Sequence, residues 1–320
     1  MGNCLVTKLK ESVQNQELIK IGEVRVTVSG QGGLYVVPIE GELINVRTSD
    51  GVAHLTQNGV PFASKDFAYT ASAWNNYFDI TGENYSIIIN NKYKLCNIYL
   101  TGNISVNGDD LFYSDNLAEL ALLGTTNPVN ITKVNNKTRK SVTCANVDVA
   151  IFKDVPLNGL SVKNSYGSIS DINDFMGSTI ECGNNNLSGI VNDIISKEGM
   201  VKMNLYRDDG LDEGNIGGDL SLASSTVKYI GFTGQRNTCI WSGVRQSGYP
   251  AVCLKQVNLG NYVDAMLKGQ INCDFSQPLT EWDNVINVIG THDPSDAAAV
   301  AAINTIKTNG WIVIINGETM

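Results

Sequence analysis

Ile180-Glu181-Cys182-Gly183-Asn184-Asn185-Asn186 carries the pattern that decides the fold. Two apolar side chains bracket one polar position, and an asparagine-rich turn follows. Successive side chains of a strand point to opposite faces, so Ile180 and Cys182 are expected inward and Glu181 outward. Asparagine tolerates left-handed backbone angles and bonds its own main chain, which suits the turn. Asparagine is abundant throughout (36 residues), so its placement adds only a little to the apolar pattern.

The same phrase recurs on both sides. Before it stand Ile98-Tyr99-Leu100, Leu120-Ala121-Leu122, Val142-Thr143-Cys144 and Leu160-Ser161-Val162. After it stand Met203-Asn204-Leu205, Ile230-Gly231-Phe232 and Val257-Asn258-Leu259. From first residue to first residue the steps are 22, 22, 18, 20, 23, 27 and 27. Ile286-Asn287-Val288 and Ile312-Val313-Ile314 extend the series at steps of 29 and 26. This is the period range of a leucine-rich solenoid, in which each turn supplies one short strand and a return segment. A single turn cannot bury its apolar face, whereas stacked neighbours form a continuous core. The expected fold class is α/β: an irregular leucine-rich-repeat-like solenoid, rich in strand and poor in helix. The repeats depart from a strict leucine consensus, often substituting Ile, Val, Met or Cys.

Three segments are expected. Residues 1–70 read as a β-rich attachment or oligomerisation module. Val24, Val26 and Val28 alternate with Arg25 and Thr27, the period of a half-exposed strand. Ser29-Gly30-Gln31-Gly32-Gly33 reads as a hairpin turn, and Leu34–Val37 resumes an extended run ending at Pro38, which favours a sheet edge. The glycine cluster lacks the Lys and Ser/Thr of a phosphate loop. Residues 71–280 form the solenoid, with Phe67, Tyr69, Trp74, Tyr77 and Phe78 plugging its open end or, alternatively, offering a sugar-stacking platform. Residues 281–320 form a C-terminal α/β cap continuous with it. There Ser295 or Asp296 caps a helix over Ala297–Lys307, Asn309-Gly310 stops it, and Trp311–Ile315 forms a last strand.

Composition narrows the function classes. The chain has 320 residues, net charge −9 and only 17% charged residues. An acidic chain without a basic run gains nothing from phosphate neutralisation, which argues against nucleic acid as a partner. A weakly charged surface rich in Asn, Ser, Thr and Gly suits contact with sugars or protein. Seven scattered cysteines do not form a disulfide framework and are expected as reduced structural thiols. With two histidines and no paired cysteines, no structural zinc or other cofactor is expected. No apolar run approaches the ~20 residues that span a bilayer. Met1-Gly2-Asn3-Cys4 is reminiscent of an acylation signal, but Val6 stands where Ser or Thr is required. Synthesis without export is the expectation, and no membrane partner is expected.

No catalytic residue is assigned and no enzyme is expected: Gly-x-Ser-x-Gly and His-Glu-x-x-His are both absent. Asp208, Asp209, Asp212 and Glu213 gather in a glycine-rich stretch whose spacing misses the alternating ligands of an EF-hand. A solvated loop is the expectation, with calcium binding and a carboxylate pair for glycoside hydrolysis as the alternatives. Candidate ligand-binding residues are the outward strand positions Tyr99, Glu181, Asn204, Tyr229 and Asn258. To these are added Trp241, Arg245 and Tyr249 of the irregular stretch Gly231–Pro250, taken as a recognition loop.

Two stretches carry a resemblance. Met1-Gly2-Asn3-Cys4-Leu5-Val6-Thr7-Lys8-Leu9-Lys10 with Leu18-Ile19-Lys20-Ile21-Gly22-Glu23 resembles the start of structural proteins from crAss-like phages of gut Bacteroides. Asp296-Ala297-Ala298-Ala299 through Asn309-Gly310-Trp311-Ile312-Val313 is similar to the end of leucine-rich proteins of those phages and their hosts. The resemblance implies a virion protein such as a head or tail fibre or a capsid decoration. It would be anchored to capsid or tail proteins by one end and would display its repeats toward host-surface polysaccharide. By the same analogy a dimer or trimer is expected. A bacterial leucine-rich surface adhesin is the alternative, and a polysaccharide depolymerase a lesser one.

Overall fold

A computed structural model describes residues 22–70, 73–106, 117, 119–123, 140–145, 148–183, 185–207, 215–234, 236–280 and 283–320. The acidic stretch Asp208–Glu213 and the opening segment 1–21 lie outside the described residues. The chain is strand-rich, with three α-helices among the described residues and mostly parallel pairing, an α/β composition. It divides into two compact units, Met1–Val147 and Asp148–Met320.

In the first unit the valine alternation does make a strand. β1 (Val24–Pro38) buries Val24, Val26 and Val28. It is one continuous strand, so the hairpin expected at Ser29–Gly33 does not form. The glycines serve a close crossing instead. Gly102 has φ +88°, and a Cβ there would lie 2.2 Å from the Gln31 carbonyl oxygen, a distance only glycine permits. The register shifts between Val28 and Gly32, which marks a bulge at the crossing.

Around β1 lie β2 (Leu43–Thr48), β3 (Leu55–Gln57), β4 (Val60–Phe62), β5 (Ser64–Ala68), β6 (Tyr77–Ile80), β7 (Tyr85–Ile89) and β8 (Leu95–Val106). β1 pairs antiparallel with β6 and β7 and also with β8, so it is central and not an edge. Pro38 is its last residue, where a missing N–H interrupts no ladder. The β module therefore continues past residue 70 through β8. Phe67 and Phe78 are buried, with ring centroids 5.3 Å apart, and Phe62 meets Phe78 edge-on at 5.5 Å. Phe67 and Phe78 are therefore packed and offer no platform, while Tyr69 is exposed. Pairing then turns parallel: Ile98 stands beside Leu120 of β9 (Glu119–Leu123), and Leu120 beside Val142 of β10 (Lys140–Ala145).

The second unit has two sets of parallel strands. One comprises β11 (Leu157–Lys163), β13 (Thr179–Gly183), β15 (Lys202–Tyr206), β17 (Tyr229–Gly231), β19 (Cys253–Gly260), β20 (Val285–Gly290) and β21 (Ile312–Ile315). The other comprises β12 (Tyr166–Ser168), β14 (Asn186–Ile190), β16 (Ile216–Asp219) and β18 (Asn237–Ile240). Within each set every strand pairs in parallel with the next. One inward row runs Leu160, Ile180, Met203, Ile230, Leu254, Ile286 and Val313 in register, all buried. Two expected phrases depart from this row. Ile230 pairs with Leu254 and not Val257; Gln256 (φ +54°), an extra residue between Lys255 and Val257, lets Val257 and Leu259 face inward as expected while Leu254 is inward too. In β21 the inward residues are Val313 and Ile315, while Ile312 is 47% exposed. A shift of one residue moves a whole strand to its other face.

The second set is followed by short, buried segments. Ile169, Val191, Leu220 and Trp241 each stand at or just after the end of one of its strands and are all buried. Beside them the side chains of Asp148, Ser168 and Asp219 cap short helical turns by accepting from Ala150, Ser170 and Ser221 backbone N–H groups. Three α-helices complete the unit: α1 (Asn192–Ile195), α2 (Val263–Gln270) and α3 (Ala297–Thr308). Asp296 is the α3 cap, accepting from both Ala298 and Ala299 N–H. The two-residue β22 (Glu318–Thr319) folds back antiparallel on β21.

Candidate functional site

The outward side of the first parallel set in the second unit gathers most of the candidate residues. Because strand register is kept, Ser161, Glu181, Asn204, Gly231, Lys255, Asn287 and Ile314 form one row across seven strands. Beside it runs a second row, Thr179, Lys202, Tyr229 and Cys253. These side chains are half-exposed, apart from Gly231, Tyr229 and Cys253, which are buried.

The two rows interact diagonally. Lys202 is ion-paired with Glu181 on one side, and Lys255 with Asp283 at 3.1 Å on the other. Both ammonium groups flank Tyr229, 5.6 Å and 5.1 Å from its ring centroid. Tyr229 fits because the neighbouring position is glycine: a Cβ on Gly231 would lie 2.9 Å from the tyrosine ring and hydroxyl. The Tyr229 hydroxyl donates to Asn204 Oδ1 across 3.5 Å, a long contact. Burial, reinforced by the nearby thiol and carboxylates of Cys253, Asp283 and Glu181, pushes the Tyr229 phenol well above its ordinary value of 10.0. Tyr229 is thus the floor of the face, neutral and 5% exposed, and not a stacking platform.

Glu181 and Asn204 fall where the alternation puts them. Tyr99 lies in the first unit, half-buried, with its ring 5.0 Å from that of Tyr35. Asn258 serves a turn: its Oδ1 accepts from Gly260 N–H at 3.0 Å and its own N–H donates to Asn237 Oδ1.

The expected recognition loop is corrected. Trp241 is 1% exposed and occupies the inward position that Ile169, Val191 and Leu220 hold in earlier turns. Its indole lies against Gly269, where a Cβ would stand 2.3 Å from Nε1. Arg245 is 3% exposed, and its guanidinium donates to the carbonyls of Ala223 (2.7 Å), Ser224 (3.1 Å) and Pro250 (3.4 Å). Those carbonyls lie outside the named strands, and the guanidinium supplies donors that the backbone there does not fully provide. Burial lowers its hold on the proton, while Cys273 and Tyr249 act the other way. Tyr249 is half-buried, with the Arg245 guanidinium 5.6 Å from its ring centroid. The stretch is built as one more turn of packed structure.

Lys255, Asp283 and Asn287 belong to the face but were not singled out in the sequence. Asn287 is the middle position of a repeating phrase, and Lys202, just before Met203, is outward by the same alternation, so both are readable. Lys255 and Asp283 were hidden by the Gln256 bulge and by a turn outside the phrase. Cys144, Cys182, Cys239, Cys253 and Cys273 are buried, and burial pushes the thiols of Cys144, Cys239 and Cys253 up to about 12. Comparison with protein-family models, curated proteins and solved structures finds no match, so the face stands on its own geometry.

Proposed function

We propose that this chain is a structural protein of a phage virion, a head or tail fibre or capsid decoration, displaying a polar strand face to host-surface polysaccharide. In this reading the parallel strands of residues 71–280 are turns of an irregular leucine-rich-repeat-like solenoid, closed by residues 281–320 and anchored by the β module. The observation that carries the binding part is the in-register row Ser161, Glu181, Asn204, Lys255 and Asn287. Its groups are polar, mixed in charge and spaced by the strands, the makeup of a surface that forms many weak hydrogen bonds. The virion part is supported by the resemblance at the two ends of the sequence. Multiple copies on a particle, each a dimer or trimer, raise weak contacts to useful avidity through effective concentration.

Labelling the protein on intact particles and imaging them tests the reading. Label at the capsid or tail is the expected result. Label confined to the host outer membrane, with none on particles, overturns it and favours the adhesin alternative.

A further inference from the structure

We infer that the outward row takes an uncharged polysaccharide lying across the strands, its hydroxyls bridging Lys202, Asn204 and Lys255; this rests on the polysaccharide reading above. Both ammonium groups are already neutralised, Lys202 by Glu181 and Lys255 by Asp283. A uronate or sulfate sugar would have to displace a carboxylate or sit beside one, and like charges at that range repel. The pairing leaves hydrogen-bonding capacity intact. An ammonium has three donors and an ionised carboxylate several lone pairs, so one contact exhausts neither.

Along the face the groups alternate as acceptor, donor, carboxamide, donor and acceptor: Glu181, Lys202, Asn204, Lys255, Asp283. A sugar hydroxyl both donates and accepts, and adjacent hydroxyls match such an alternation, whereas an anion uses only the donors. Asn204 sits between the two ion pairs, and among the described residues its carboxamide has one side-chain contact, the long one from Tyr229. Two other asparagines of the unit are spent on backbone: Asn192 accepts from Asp219 N–H, and Asn316 brackets Gly290. Neighbouring strands lie about 4.8 Å apart, close to the length of one pyranose in an extended chain. Consecutive sugars would meet consecutive strands from β13 to β19.

The test titrates the full chain with dextran, laminarin, mannan and polygalacturonate by isothermal calorimetry, at low and high salt. The expected result is binding of at least one neutral polymer with the same affinity at both salt concentrations. Polygalacturonate should bind at least about tenfold more weakly. Asn204→Ala and Lys255→Met should each weaken the neutral complex at least about fivefold, with circular dichroism confirming that both fold. Preference for polygalacturonate, salt-sensitive binding of the neutral polymer, or full affinity in a folded Asn204→Ala overturns this assignment and leaves polysaccharide binding standing. Failure of all four polymers to bind overturns it together with the binding reading on which it rests.

Discussion

The Arg245 guanidinium reaches back one turn and donates to the Ala223 carbonyl at 2.7 Å, beneath a surface that leaves it 3% exposed. A buried charge whose two terminal nitrogens are held by three backbone carbonyls is a structural bolt. Removing it takes a donor from the carbonyls of Ala223, Ser224 and Pro250, of which only Ser224 keeps another, the Val227 N–H; each carbonyl left bare is a penalty of about 1–3 kcal/mol. Arg245→Met should lower unfolding free energy by about 3 kcal/mol or more. Arg245→Lys should rescue little of it, since one ammonium cannot reproduce a planar fork. Urea denaturation measures both, and a neutral Arg245→Met would refute the role.

Gly102 and Gln31 define the crossing in the first unit. Gly102→Ala puts a Cβ 2.2 Å from the Gln31 carbonyl oxygen and also strains a φ of +88°. A loss of about 3 kcal/mol is expected. Gly41→Ala is the control: it too has positive φ (+82°), but no atom lies within 4 Å of the added Cβ, so it should lose only about 1 kcal/mol. Thermal unfolding of the two variants separates close approach from conformation.

Asp219 ties acid sensitivity to one return turn. Burial works to raise its carboxyl, but hydrogen bonds from the Ser242 and Ser221 hydroxyls and N–H groups outweigh it and hold the group below its ordinary 3.8. A folded value below the unfolded one means a stabilisation that is complete above the unfolded value and disappears as pH falls through the folded one. Asp219→Asn should cost about 1.5–3 kcal/mol at neutral pH. The gap from the parent should narrow below pH 3.8. A gap that stays constant down to strong acid would rule out the ionised carboxylate as its source.

The register of β21 is open to the simplest test. Val313 is fully buried and pairs with Ile286, while Ile312 is 47% exposed and pairs with Val285. Val313→Ala should cost about 2 kcal/mol and Ile312→Ala under about 0.5 kcal/mol. The reverse ranking would restore the register that the apolar phrase alone suggests.

Where the apolar phrase has no interruption, it is a faithful guide. Leu160, Ile180, Met203 and Ile230 stand in one row because alternation and burial agree there, and Glu181 and Asn204 reach the outer face for the same reason. The guide fails where a local choice of backbone intervenes. Gln256 inserts one residue, so that Leu254 is inward as well as Val257, and Leu254 is the one in register with Ile230. In β21 every residue from Ile312 to Ile315 is apolar, so period alone cannot say which pair is inside. Ser29–Gly33 has the composition of a turn, but its glycines are explained by residues far along the chain: Gly30 faces Asn103, Gly32 the Thr101 carbonyl and Gly33 the Tyr77 ring. Trp241 and Arg245 look like recognition residues by type; their roles depend on Gly269 and on carbonyls of the preceding turn, contacts no linear reading contains.

The short β22 has a consequence for how copies of this chain meet. β21 would otherwise present open peptide groups along its far side, a template on which another extended chain could lengthen the sheet. Glu318 and Thr319 occupy those positions opposite Ile315 and Ile314, and the Met320 N–H donates to the Val313 carbonyl. Another chain could pair with Val313–Ile315 only by first displacing this short return strand.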